Sequence, residues 1–281
     1  MPADDTSKRV PVSVIIPCYN CSETIMLAVD SIIRQSALPE DIFLVDDASS
    51  DNGQTTKVLH AIKERLDRTI KVNIIHLDEN NGPAFARNTG WTAASQPYIA
   101  FLDADDAWHP KKLEITYGIM ERNPLIDLIG HDFYISGRTE MMNAVLSESS
   151  YEIVKKGFYS ILLVSPFVTP SFFLKRSISE RFNVHLRYCE DYEFLLRVAY
   201  RYHVYYTRLK LVQLGKEPFT GGGLTAKRTR MRLGEVAMHF EILKYKKGHI
   251  ILLPAFILLS VIKHIVRLGL TKFRVKSFSR K

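Results

Sequence analysis

The sequence predicts an α/β fold: a mostly parallel sheet with helices on both faces, a mixed extension in the second half and a helical C-terminal tail. Three observations predict it. Four apolar, β-prone runs within residues 11–125 each lead through a polar loop into a segment with helix signals. The loops are rich in Asp, Asn, Ser and Gly, which are turn formers. From about Leu125 the alternation lapses into three strand-like runs and one amphipathic segment.

Residues 12–16 (VSVII) form the first strand, which ends at Pro17, and Asn20 with Glu23 has the N-cap-to-N3 spacing of a helix reaching Arg34. Residues 42–45 lead through DDASSDNG into a helix over 54–66. Residues 72–77 lead through DENNG into a helix with Pro83 in its first position. Residues 98–102 lead through DADDAWH into a helix that opens at Pro110. Beyond these, 128–135, 167–174 and 203–214 read as strands, 189–201 as a helix and 219–224 (FTGGGL) as a loop. The expected divisions are a disordered N-terminus (1–10), a first half (11–125), a second half (126–225) and a tail (226–281).

The formal net charge of +8 suggests nucleic acid until it is located. All 30 acidic residues precede residue 242, whereas residues 242–281 hold ten Lys or Arg and no acid. The basicity belongs to the tail, so no nucleic-acid face is expected. Within the tail, 250–262 (IILLPAFILLSVI) is uncharged and bracketed by cations. That run is short of the roughly twenty apolar residues that span a bilayer. It suits a segment lying on an anionic membrane surface, with packing on the domain as the alternative. Residues 1–11 are polar and lack the look of a signal peptide, so the expected location is cytoplasmic, peripheral on the inner face of the cell membrane.

In a parallel sheet, ligands bind beyond the carboxyl ends of the strands. The four loops therefore converge at one edge. Asp103, Asp105 and Asp106 crowd like charge there, and a hard divalent cation such as Mn²⁺ or Mg²⁺ on oxygen ligands relieves the repulsion best. A solvated acidic turn is the plain alternative. An EF-hand is excluded because Trp108 stands where its loop needs glycine. Asp46 and Asp47 end the second strand, where a carboxylate can bind a base or ribose. The helix at Pro83 opens with free N–H groups that favour phosphate, and Arg87, one turn in, is within reach of either a diphosphate or the acidic cluster, with a surface salt bridge as the plain alternative. Glu190-Asp191 starts the 189–201 helix and supplies a candidate general base, although acids at a helix start also answer the dipole. Cys18 and Cys21 have thioredoxin spacing, but redox use fits neither the chain length nor the acidic loops. Zinc would need further ligands that Cys189, the third cysteine, does not complete. An odd number of cysteines in a long chain indicates a reducing compartment.

Together, VSVIIPCYNCSETI, IFLVDDASSD, NNGPAFARNTG, YIAFLDADDAWHPKKLE and CEDYEFLLRV resemble the family 2 glycosyltransferases over residues 10–215. The resemblance implies the GT-A (Rossmann-like) fold and an inverting sugar transfer from a nucleotide sugar, usually UDP-linked, with Mn²⁺ or Mg²⁺. It makes 11–125 the nucleotide-sugar-binding half and 126–225 the acceptor-binding half. Pro17 and Tyr19 would line the base pocket, with Glu23 in the same donor-binding set, and Asp47 would bind the base. Arg87 would lie near the diphosphate. Asp103 and Asp105 match the family's DXD acids, the first facing ribose and the second the metal, and Asp191 matches the general base. The chain lacks the Q-x-x-R-W motif of processive synthases. One sugar per encounter, passed to a glycan or lipid-linked glycan of a bacterial surface polysaccharide, is therefore expected. The rival readings are a haloacid-dehalogenase-like phosphatase with Asp103 as nucleophile, and a nucleotide-sugar-binding subunit without chemistry.

Overall fold

The computed structural model describes residues 8–135, 152–215 and 228–251, with Pro254 and Leu258. The first half alternates strand and helix: β1 (Arg9–Cys18), α1 (Ile25–Ile33), β2 (Leu38–Asp46), α2 (Gln54–Leu66), β3 (Lys71–His76), α3 (Pro83–Ala93) and β4 (Tyr98–Phe101). There follow β5 (Ala107–Trp108), α4 (Lys112–Arg122), β6 (Leu128–Ile135), β7 (Ile153–Lys155), α5 (Phe158–Leu163), β8 (Phe173–Lys175), α6 (Glu190–Arg201), β9 (Val204–Leu214) and α7 (Arg228–Tyr245).

Among the described residues all nine strands join one sheet in the order β3-β2-β1-β4-β8-β6-β9-β5, with β7 on β9. Strands β1 to β4 are mutually parallel, and β8 turns the sheet antiparallel. The extension is therefore mixed, as the sequence predicts. Because β2 and β3 lie on one side of β1 and β4 on the other, the order reverses between β1 and β4. A crevice opens at such a switch point, beyond the carboxyl ends of the two strands.

Alternation along β1 shows why both faces are covered. Val14 and Ile16 point into a core with α1, α2 and α4, whereas Ile15 points into a second core with α3, α5, α6 and α7. Gly90 on α3 lets that helix approach closely, since a Cβ there would meet Ile15 Cγ2 at 2.6 Å.

Several predicted boundaries move, each for a tertiary reason. The Asn20–Glu23 capping box does not form. Asn20 is left-handed (φ 47°), its side chain is bonded to Ser50, and α1 begins at Ile25. The helix expected at Pro110 begins at Lys112, because the Lys111 N–H donates to His109 Nδ1 and the Pro110 carbonyl accepts from Ser36. Only the end of the 167–174 run is strand. Residues Thr169–Ser171 form a 3-10 turn around Pro170, whose carbonyl accepts the Trp108 indole N–H. Strand β1 starts at Arg9, inside the stretch expected to be disordered. Residues 1–7, the 219–224 loop and most of the 250–262 run lie outside the described residues.

One core feature carries a stability prediction. Lys112 is fully buried, its amine lies 3.6 Å from the Trp108 ring centroid, and it has no hydrogen-bond partner among the described residues. Burial pulls its pKa well below the usual lysine value. Lys112→Met is expected to stabilise the fold by about 1–3 kcal/mol at neutral pH. The folded protein binds the lysine proton less readily than the unfolded chain. The wild type's deficit therefore shrinks as pH rises towards the free-lysine range. Thermal melts of both proteins at pH 7 and pH 9.5 check this.

Candidate active site

The loops at the carboxyl ends of β1 and β2 are tied together. The Asn20 side chain donates to Ser50 Oγ and accepts the Ser50 N–H, the Asn20 N–H donates to Ser49 Oγ, and the Cys21 N–H donates to Thr55 Oγ1. Tyr19 stands half-exposed above this junction, with its hydroxyl 3.4 Å from Ser50 Oγ. Pro17 is partly buried opposite Val45, and Glu23 is exposed on the turn leading into α1. Cys18 and Cys21 are buried free thiols, and the hydrogen bond with Cys21, together with burial, raises the Cys18 pKa. Among the described residues, the four non-glycine left-handed positions are Asn20, Ala48, Asn52 and Cys189. All four flank loops of this edge, where strained backbone commonly serves a site.

Asp46 and Asp47 have separate tasks. Asp46 accepts hydrogen bonds from Ser49, Thr56 and His76 and so fastens the β2 loop internally. Asp47 accepts the backbone N–H groups of Asn81 and Gly82, at 2.9 and 2.8 Å, which pins the approach to α3. Burial raises its pKa against those bonds. Gly82 is left-handed (φ 87°), and Pro83 opens α3 as the sequence predicts.

Arg87 is 4% exposed and does not face the crevice as a loose cation. Its guanidinium donates to Asp103 Oδ1 at 2.7 Å and to Glu190 Oε1 at 3.3 Å. Burial opposes its charge, but Asp103 and Glu190 more than offset that and raise its pKa. One buried arginine thus joins the loop after β4 to the first turn of α6.

Asp191 lies beside Glu190 in that turn. Its carboxylate accepts the Tyr192 N–H at 2.8 Å and the Thr169 hydroxyl at 3.4 Å. Burial raises its pKa, Arg87 lowers it, and Asp103 is close enough to raise it further. Glu190 is pushed to about 7 by burial and by the charge of Asp191. The base candidate and the first DXD acid therefore belong to one electrostatic cluster, although 88 residues separate Asp103 from Asp191.

In the DADD loop, Asp106 Oδ1 accepts the Gly215 N–H at 2.8 Å, anchoring the end of β9. Burial and the charges of Asp103 and Asp105 push its pKa to about 8. A Cβ on Gly215 would lie 1.7 Å from the Asp105 carbonyl oxygen, which is backbone and has no rotamer to change. Gly215→Ala is expected to displace the Asp105 backbone and weaken any ligand held there. Titration of the variant with UDP and Mn²⁺, followed by melting temperature, checks this.

The site suits a hard cation in one respect. The carboxylate oxygens of Asp103, Asp105 and Asp106 lie within four residues on one loop, and the charges of Asp103 and Asp105 add to burial in raising the Asp106 pKa. No group of three or more metal-ligating side chains occurs among the described residues.

The family model for "Glycosyl transferase family 2" matches residues 13–182. The chain belongs to glycosyl transferase family 2. Among its relatives is the Escherichia coli "UDP-Glc:alpha-D-GlcNAc-diphosphoundecaprenol beta-1,3-glucosyltransferase WfgD", 38% identical over 43% of this chain and 45% of that protein. The chain spans about half or less of the length of the curated relatives it matches first. Staphylococcus aureus TarS in complex with UDP-GlcNAc superposes with a TM-score of 0.63 at 20% identity, over 83% of this chain and 66% of the other. A Pyrobaculum calidifontis mannosyltransferase in complex with GDP-Man and Mn²⁺ gives 0.59 at 18%, over 95% and 76%. These two likenesses show the GT-A fold. The phosphatase and inactive-subunit readings find no support.

Sequence reasoning missed Glu190 as the partner of Arg87, Thr169 as the donor to Asp191, and the Asp106–Gly215 tie. The only signal for Glu190 was its place beside Asp191.

Proposed function

We propose that the chain is an inverting, non-processive glycosyltransferase that moves one hexosyl or N-acetylhexosaminyl group from a UDP-linked donor to a hydroxyl of a lipid-linked glycan, in cell-surface polysaccharide biosynthesis. One observation carries the reading. Arg87 binds Asp103 and Glu190 together, which ties the helix turn carrying the base candidate Asp191 to the loop that carries the donor-side acid Asp103. WfgD supports a UDP-sugar and a diphosphoundecaprenol-linked acceptor by its name, and TarS supports UDP-GlcNAc.

In this reading Pro17 and Tyr19 flank the base, with Glu23 at the rim of the same pocket. Asp47 turns its remaining acceptor lone pairs to the base imide, since each oxygen uses only one direction on Asn81 or Gly82. Asp103 faces the ribose, steadied by Arg87. Mn²⁺ or Mg²⁺, held by Asp105, would supply Lewis-acid neutralisation of the departing diphosphate. Asp191 removes the acceptor hydroxyl proton as that oxygen attacks the anomeric carbon from the face opposite the nucleotide. Burial raises its pKa, which makes it a stronger base than a solvated aspartate. Thr169 fixes the carboxylate orientation.

The tail is proposed to hold the protein on the cytoplasmic face of an anionic membrane. Among the described residues no helix is long and apolar enough to cross one. Asp105→Ala tests the donor side. It should abolish the Mn²⁺-dependent part of UDP-sugar stabilisation, and a variant that keeps that part would refute the metal assignment.

A further inference from the structure

Lys246, just beyond α7, has its amine 4.6 Å from the ring centroid of Tyr200, 5.0 Å from Phe158 and 5.2 Å from Tyr159. These rings come from α5 and from the last turn of α6. Phe158 packs edge-on against both tyrosines, and Tyr200 lies 5.8 Å from Tyr245. One cation thereby fastens the start of the basic tail to two helices of the catalytic domain.

The outer surface of this junction is not covered by the described residues. Phe158 is buried, but Tyr159 and Tyr200 are about half-exposed, and Val164, Ile250 and Ile251 are 70%, 61% and 81% exposed. Lys155 stands exposed before α5 and Lys247 after Lys246. Tyrosines with apolar bodies and polar tips, exposed aliphatic side chains and lysines with long stems form the chemistry of a lipid headgroup layer. The charge has one sign along the sequence that continues from it. Residues 242–281 carry ten cations and no acid, and the apolar run continues to Ile262.

We propose that α5, the C-terminal end of α6 and the Lys247–Ile251 turn form a lipid-facing surface of the folded domain, docked on an anionic bilayer. This rests on the peripheral-membrane reading of the tail and extends it. Asp191 and Tyr200 sit at opposite ends of α6, nine residues and so about 14 Å apart along its axis. The same helix that carries the base thus reaches the lipid face, and the two are rigidly related.

The test uses the full chain and flotation with phosphatidylglycerol or phosphatidylcholine vesicles. Wild type should bind the anionic vesicles and largely ignore the neutral ones. Tyr159→Ser with Val164→Ser, outside the tail, should lower anionic binding about fivefold or more. Lys246→Gln should lower it in the same direction, while Leu125→Ser, 75% exposed on the loop after α4, should not. Unchanged binding by both the α5 pair and Lys246→Gln would overturn the proposal. So would an equal loss in Leu125→Ser, or equal wild-type binding to neutral vesicles. UDP-induced stabilisation is measured on the same proteins. Its absence from the wild type counts against the donor reading, and its retention in the variants shows that the site is still folded.

Discussion

Asp191→Asn is expected to cut sugar transfer by about 10²–10⁴-fold, the usual contribution of a positioned general base, while UDP binding is retained. The amide keeps the shape: its oxygen accepts the Tyr192 N–H, and its NH2 meets the Thr169 hydroxyl, which turns to accept, so structure is preserved and basicity is lost. The pH dependence separates this from a structural effect. Burial raises the Asp191 pKa, so wild-type transfer should fall on acidification at a pH above the ordinary aspartate range. The residual rate of the variant should lack that acid limb. Initial rates from pH 4.5 to 8.5, with UDP titrations alongside, provide the check. Wild-type transfer by the variant would remove Asp191 from the mechanism.

Arg87→Met should have the largest effect on stability. It leaves Asp103 and Glu190 without their shared cation in a largely buried setting. Breaking a buried pair from one side costs about 3–5 kcal/mol, and two carboxylates lose their partner here. Part of the cost is avoided if Glu190, already near 7, takes up a proton. The melting temperature should therefore fall steeply at pH 8 and less at pH 6. Arg87→Lys should recover only part of the loss, because a point cation cannot reproduce the planar fork between two carboxylates. Chemical denaturation of the three proteins at both pH values reads this directly.

The parallel half was legible because each buried strand announces itself by β-branched residues and ends in acids or turn formers. The position of Asp103 and Asp105 at the end of β4 follows from that pattern alone. The start of α1 was not legible. Asn20 is a good cap in isolation, but its side chain is recruited by Ser50, thirty residues away, and the helix waits for Ile25. Nor does sequence distinguish Asp46 from Asp47. Only the sheet, which brings His76 to one and the Asn81–Gly82 backbone to the other, separates their tasks. Arg87 was singled out by its place one turn into the third helix, yet its direction depends on Glu190, which the order of β8, β6 and β9 brings across from the second half. Gly215 reads as an ordinary loop glycine until the Asp105 carbonyl is found against it.

The central claim is that this crevice binds a nucleotide sugar through the DXD loop. The most direct measurement is the melting temperature of the purified chain with a panel of UDP-, GDP- and dTDP-linked sugars, with and without Mn²⁺. A bound donor stabilises the fold by mass action, by about 2.7 kcal/mol at a hundredfold excess over its dissociation constant. A UDP-sugar should raise the melting temperature with Mn²⁺ present, and Asp105→Ala should erase the rise. If no nucleotide sugar shifts the transition under either condition, the assignment of this site is wrong.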